Sequence, residues 1–333
     1  MARKPRLAVL CSAELFPSFF DATRQRRLAR SFAWERIGAP SFGEADWRRL
    51  ARVEALVTTW STPRLGPELF ERAPRVRIAG HCGGEVKGRF SPEVLARLPI
   101  TNAPGPMAPY VAELAVAFLL HSARRLGDYQ DAFRCSQDEV YRERHLHGTD
   151  RETLRGRRVG LVGYGHIGRE VARLLQPFAV ELEVCDPYAR PQAGIAFTTL
   201  PRLLGRAEFL VLAAGLTDRT RGMLDGAALG RLPEGATVVN VGRGGLIDLP
   251  ALTREIQSGR LRCALDVTDP VEPLPQAHPL RRLSRALVTP HVGAAPVEVR
   301  HAMVETVLED LERFFRGERP KNRVSAAMLE RMT

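Results

Sequence analysis

Short apolar runs alternate with longer polar stretches along most of the chain. Near its start, Leu7-Ala8-Val9-Leu10-Cys11, Val53 to Thr58 and Val76 to Ala79 are apolar and brief. Such runs, separated by polar helix-like stretches, predict buried strands of a parallel sheet covered on both faces. Thr101-Asn102-Ala103-Pro104-Gly105-Pro106 interrupts the pattern as a breaker cluster. Beyond it, Val111, Leu114, Ala115, Phe118 and Leu119 recur at helical spacing, with Gly127 as the expected stop. Asp128 to Asp150 is polar with no consistent face and predicts an exposed or subunit-contacting arm. Strand-like runs return at Phe209 to Ala213, Thr237 to Val241, Cys263 to Asp266 and Leu287 to Thr289, with a connecting helix over Pro250 to Ser258. Val299, Met303, Val307, Leu311 and Phe314 predict a final amphipathic helix ending near Gly317. It is expected to cross back onto the first domain.

One junction in this pattern carries chemistry. The run into Val159-Gly160-Leu161-Val162 meets Gly163-Tyr164-Gly165-His166-Ile167-Gly168, and a helix-like segment from Arg169 to Gln176 follows. In a strand-glycine-helix unit, the first glycine makes a tight turn, the second admits a pyrophosphate, and the third lets helix and strand pack closely. The helix N-terminus presents free N–H groups to the phosphates. A second apolar run, Val180 to Cys185, ends in Asp186, near the ~20-residue offset at which an acid meets the adenosine ribose. That acid would repel a 2′-phosphate, so the expected cofactor is NAD rather than NADP.

Three polar residues stand at or just past later strand ends, where doubly wound sheets bind ligands. They are Arg243 in Asn240-Val241-Gly242-Arg243-Gly244, Glu272 in Asp269-Pro270-Val271-Glu272-Pro273, and His291 in Thr289-Pro290-His291. A guanidinium can grip a carboxylate with two parallel hydrogen bonds. An imidazole exchanges protons near neutral pH, and a carboxylate behind it fixes the ring. Asp266, ending its strand, is a candidate partner for a nicotinamide carboxamide.

With 333 residues, 44% hydrophobic and 26% charged, the chain has the composition of a soluble protein large enough for two cores. No apolar run approaches the ~20 residues that cross a bilayer, so no membrane partner is expected. Met1-Ala2-Arg3-Lys4-Pro5-Arg6 leads into a short strand and not a signal-peptide core. Five scattered cysteines without a C-x-x-C pair read as free thiols of a cytoplasmic protein. The net charge of +11 invites a nucleic-acid reading. Yet the arginines are dispersed among acids and no nucleic-acid motif accompanies them, so no such partner is expected. His145 and His147 lack further ligands at metal spacing, and no metal site is expected.

The chain resembles the D-isomer-specific 2-hydroxyacid dehydrogenases. The resemblance rests on the glycine loop, on Asn240 to Gly244, on Asp266-Val267 through Glu272-Pro273-Leu274-Pro275, on His278-Pro279-Leu280 and on Thr289-Pro290-His291. It implies an α/β fold of two doubly wound parallel-sheet domains. A Rossmann-type NAD-binding domain (103–296) would be inserted into a smaller flavodoxin-like substrate domain (1–102), with 297–333 as the return segment. It implies that Arg243 binds the substrate carboxylate, that His291 is the acid/base and that Glu272 is its partner. Gly163, Gly165, His166, Ile167, Gly168, Asp186, Val241, Asp266 and Gly293 would hold the cofactor. Gly83 and Gly84 would meet the substrate in a cleft between the domains, and the subunits would pair as a homodimer through the NAD-binding domain. The expected reaction interconverts a 2-oxo acid and a D-(2R)-hydroxy acid. An NAD(H)-sensing corepressor-like regulator and a phosphite-type oxyanion dehydrogenase remain as alternatives.

Two departures from the family pattern stand out. The spacing from Asp266 to Glu272 is one residue longer than usual, and His81-Cys82-Gly83-Gly84-Glu85-Val86-Lys87 replaces a G-x-G-x-D-N loop. Lys87 and Trp60 are open as pocket or non-pocket residues.

Overall fold

The computed structural model describes residues 3–38, 41–135, 139–149, 152–190 and 192–332. The chain divides into two compact units, Met1–Met107 with Ala294–Thr333, and Ala108–Gly293.

The first unit carries β1 (Arg6–Leu10), β2 (Ala33–Ile37), β3 (Ala55–Thr58), β4 (Ile78–His81) and β5 (Ile100–Asn102). They form a parallel sheet in the order β2-β1-β3-β4-β5. This is the flavodoxin-like doubly wound order. The three expected strands are the central ones, buried in the sheet apart from Arg6 at the start of β1. The two edge strands lacked a signal: β2 reads Ala-Trp-Glu-Arg-Ile and is half-exposed, and β5 spans three residues beside the proline cluster. One face of the sheet packs Leu10, Leu56, Leu65, Phe90 and Ile100 into a continuous core. The helix Val297–Phe315 returns to this unit, buried through Val299, Met303, Val307 and Leu311. It lies so close to β4 that a Cβ on Gly80 would sit 2.4 Å from Val307 Cγ1.

The second unit carries β6 (Arg158–Val162), β7 (Glu181–Cys185), β8 (Ala196–Phe197), β9 (Phe209–Leu212), β10 (Thr237–Asn240), β11 (Arg262–Leu265) and β12 (Ala286–Val288). Their order is β12-β11-β10-β9-β6-β7-β8, parallel throughout. This is the Rossmann order with one further strand, and its direction of winding reverses between β6 and β9. Helices Ala108–Ala123 and Leu249–Gln257 belong to this unit.

The structure corrects the sequence reading at Gly127, which does not stop a helix. The Ala108–Ala123 helix ends before Arg125, whose left-handed φ of 50° starts a second helix, Leu126–Arg134. Glycine is needed at 127 for proximity, since a Cβ there would lie 2.8 Å from the Ser284 carbonyl oxygen. The arm from Asp128 onward thus begins in that helix and continues in another, Glu139–His147, while 136–138 and 150 lie outside the described residues. Within the described residues no helix is long and apolar enough to cross a membrane.

Candidate active site

The glycine loop follows β6 at the reversal point of the second sheet, and each glycine meets a different constraint. Gly163 has φ +93°, and a Cβ there would collide with the Ala213–Ala214 backbone at 2.7–2.8 Å. Gly168 admits no side chain, because its Cβ would lie 2.1 Å from the Gly163 carbonyl oxygen. Gly165 instead faces open space and caps the helix His166–Leu175. The loop is therefore closed against the protein on two sides and open at Gly165, where the helix begins. That is the shape a dinucleotide pyrophosphate requires.

Asp186 follows β7, and its carboxylate gathers the surrounding loops. Oδ2 accepts from Tyr164 N at 2.7 Å, and Oδ1 from Tyr188 N at 2.8 Å and Ala189 N at 3.1 Å. The acid at this strand end thus also holds the glycine loop to the turn after β7. The sequence had suggested only its ribose contact.

The acid/base candidates come from the ends of adjacent strands. Arg243 follows β10, Glu272 lies in the loop after β11, and His291 follows β12. His291 Nδ1 and Glu272 Oε2 are 2.9 Å apart. A carboxylate only accepts, so Nδ1 carries the proton of this bond and Nε2 is the nitrogen left for other chemistry. The extra residue between Asp266 and Glu272 does not prevent the pairing. Thr268 N donates to Glu272 Oε1 at 3.2 Å, and the Thr268 hydroxyl donates to the Val271 carbonyl at 2.7 Å. These bonds fold the longer loop back under the carboxylate.

His291 adopts a left-handed φ of 56°, a conformation that non-glycine residues hold only when neighbours enforce it. Buried Asp266 is the enforcer. Its backbone oxygen accepts from His291 N at 2.8 Å. Its Oδ1 accepts from the Thr289 hydroxyl at 2.6 Å and Val292 N at 2.8 Å, and its Oδ2 from Gly293 N at 2.9 Å. Asp266 therefore organises the histidine loop in addition to any carboxamide contact, a duty its place in the sequence did not disclose.

Arg243 is extended, with its carbonyl held by Asn240 Nδ2 at 2.9 Å and its Nη1 donating to the Gly242 carbonyl at 2.8 Å. Gly244 abuts the backbone of Thr268 and Asp269, where a Cβ would meet atoms at 2.2–2.5 Å. The arginine loop is thereby pressed against the loop that carries Glu272. Val241 is buried, its amide bonded to the Leu212 carbonyl at 3.2 Å.

In the first unit the Gly83 amide already donates to the His81 carbonyl at 2.9 Å. Substrate contact at Gly83 and Gly84 stays with the family resemblance alone. Lys87 Nζ donates to the Met332 carbonyl at 2.7 Å. Trp60 packs edge-on against Phe19 at 5.0 Å, with the Arg300 guanidinium 5.0 Å over its ring. His81 ends β4. Its ring is 2% exposed, Nδ1 lies 2.9 Å from the Thr58 hydroxyl, and burial first, then Arg89, pushes its pKa down to about 3. Only its position at a strand end could have hinted at this.

Comparison with known proteins identifies the family. The NAD binding domain of the D-isomer specific 2-hydroxyacid dehydrogenases matches residues 116–293. A glyoxylate reductase of Korarchaeum cryptofilum is 31% identical over 299 residues, 88% of this chain and 89% of that protein. A D-3-phosphoglycerate dehydrogenase of Mycobacterium leprae is 32% identical over 264 residues, 78% of this chain but 48% of that longer protein. The crystal structure of an NADPH-dependent glyoxylate/hydroxypyruvate reductase from Sinorhizobium meliloti superposes with a TM-score of 0.78 at 26% identity, covering 97% of this chain and 98% of the other. With its Rossmann-type glycine loop and its histidine–glutamate pair, the chain belongs to the D-isomer specific 2-hydroxyacid dehydrogenase family of NAD(P)-binding oxidoreductases.

Proposed function

We propose that the chain interconverts a small 2-oxo acid and its (2R)-hydroxy acid, with His291 as acid/base, Glu272 as its partner and Arg243 as the carboxylate clamp. The observation that carries this reading is the 2.9 Å His291–Glu272 bond beside the strand end that bears Arg243. Arg243 orients the substrate through its carboxylate. Gly163, Gly165, His166, Ile167 and Gly168 would hold the pyrophosphate of a bound NAD, Asp186 its adenosine ribose and Val241, Asp266 and Gly293 its nicotinamide end, and the cofactor would supply or take the hydride. His291 Nε2 gives a proton to the carbonyl oxygen in reduction and removes it in oxidation. Glu272 keeps the proton on Nδ1 and steadies the charged ring. The names of the relatives favour glyoxylate-like and hydroxypyruvate-like substrates.

NAD is the preferred cofactor in this proposal, because a carboxylate at 186 repels a 2′-phosphate. A homodimer formed through the NAD-binding domain belongs to the same reading, supported by Leu126 just before the arm and Phe133 and Leu146 within it, which are 51%, 62% and 66% exposed. So does a cytoplasmic location, supported by five free cysteines of which Cys11, Cys82 and Cys263 are buried.

The test is NADH oxidation by purified protein across 2-oxo acids from glyoxylate and pyruvate to branched and aromatic side chains, with His291→Ala as control. Turnover confined to some members and lost in the variant is expected. Tight NADH binding without turnover would transfer the assignment to a dinucleotide sensor. NAD reduction driven by phosphite would transfer it to an oxyanion dehydrogenase.

A further inference from the structure

A cavity lies wholly within the first unit, apart from the residues discussed above as catalytic. It encloses about 780 Å³, within the range of ligand sites. Its floor is apolar: Phe90 and the half-buried Leu95, Val324 and Leu329. Its rim carries Arg64, Lys87, Arg319 and Arg323, and among the described residues no acid lines it. Among the described residues none of these four forms an ion pair with a carboxylate. Glu93 feels the charge of Arg64 without pairing with it.

One wall is built rather than draped. Buried Asp310 accepts from Lys321 N at 2.6 Å, Asn322 N at 3.1 Å and Asn322 Nδ2 at 2.9 Å. The strip that follows pairs with the edge of β5, with Asn102 N donating to the Asn322 carbonyl at 3.2 Å and Val324 N to the Ile100 carbonyl at 2.8 Å. Ser325 then caps the short helix Ala326–Leu329, which supplies Leu329 to the floor. Lys87 joins the opposite wall to this segment through its bond to Met332.

We propose that this groove binds a small amphiphilic organic anion, with its apolar body on Phe90, Leu95, Val324 and Leu329 and its anionic group among the rim cations. Four cations around an apolar floor, none ion-paired among the described residues, leave an excess of positive charge that Glu93 near Arg64 only partly offsets, and an anion removes that excess at little desolvation cost. A neutral apolar molecule would fill the floor and leave the rim as it is. The site is independent of the catalytic proposal, because its readout is binding and not turnover.

The experiment titrates the full-length protein, saturated with NAD⁺ to fill the dinucleotide site, with the fluorescent anion 8-anilinonaphthalene-1-sulfonate. Bound probe is then displaced with decyl phosphate, decanoate or uncharged decanol. Saturable binding is expected, with at least one of the two anions displacing tenfold better than decanol; which of them is stronger separates phosphate from carboxylate ligands. The exposed pair Arg64→Gln/Arg323→Gln should weaken the probe at least tenfold, with its thermal midpoint recorded to verify folding. Leu329→Glu, on the floor, should do the same. No probe binding at NAD⁺ saturation, equal displacement by decanol, or unchanged affinity in both variants would overturn the proposal.

Discussion

At the scale of single residues, the site is a set of side chains each held by a second one. His291 is aimed by Glu272 and kept in its left-handed conformation by Asp266. His291→Ala is expected to lower kcat by roughly 10²- to 10⁴-fold, the usual worth of a positioned proton donor. NADH affinity should be largely retained, and equal loss of both would make the histidine structural. Asp266→Asn offers one acceptor oxygen where the carboxylate offers two, so kcat should fall while the protein stays folded by circular dichroism. Asp186→Ala should narrow the preference for NADH over NADPH, measured as the ratio of kcat/KM; an unchanged ratio would remove Asp186 from cofactor selection. His81 allows a prediction about pH. Its folded pKa of about 3 lies below the ordinary 6.5, so the unfolded chain takes up a proton that the folded chain refuses. Stability is therefore complete above 6.5 and falls as pH drops towards 3. Between pH 6.5 and 5 the loss from this group is about 2 kcal/mol. In urea titrations His81→Gln should show a shallower acid-side decline than the parent protein, and parallel declines would contradict the assignment.

Among elements, close approach decides what can be changed. The His166–Leu175 helix sits so near β6 that Gly168→Val would drive a side chain into the Gly163 carbonyl. Loss of NADH binding should accompany a lowered thermal midpoint; retained affinity would show that the helix can shift without spoiling the cradle. At the other end of the chain, Asp310→Leu removes the acceptor for two backbone amides and one side-chain amide. A cost of at least about 2 kcal/mol is expected in chemical denaturation, because those donors are stranded in a buried place. The elements that the apolar pattern missed share a cause. Strands β2, β5 and β8 are sheet edges or very short, so they bear no continuous apolar run. Central strands buried on both faces announce themselves. Gly127 misled for a related reason: its glycine serves contact with Ser284, a neighbour remote in sequence, and not a helix end.

For the whole molecule, the chain threads one doubly wound unit into another. Met1–Met107 and Ala294–Thr333 share the first unit, and Ala108–Gly293 form the second. Self-association is the open property at this scale. The arm presents Phe133 and Leu146 to solvent, both more than half exposed. Sedimentation velocity of the parent protein should give a dimer, and Phe133→Asp/Leu146→Asp should give a monomer. A monomeric parent would dispose of the dimer proposal.

The sequence by itself determined the glycine loop between strand and helix, the central strands, and the strand-end positions of Arg243, Glu272 and His291. These are written in glycine spacing, apolar runs and turn residues, each contained in a short stretch of chain. Tertiary structure decided what depends on meetings between distant segments. It brought Glu272 to His291 despite the longer loop, gave Asp266 the histidine loop to hold, and buried His81 until its ring stayed neutral. It also turned Lys87 towards the C-terminal strip, where residue type and neighbours in sequence gave no direction. Hydrogen-bond partners and dielectric surroundings are set by packing, and packing is a property of the folded chain.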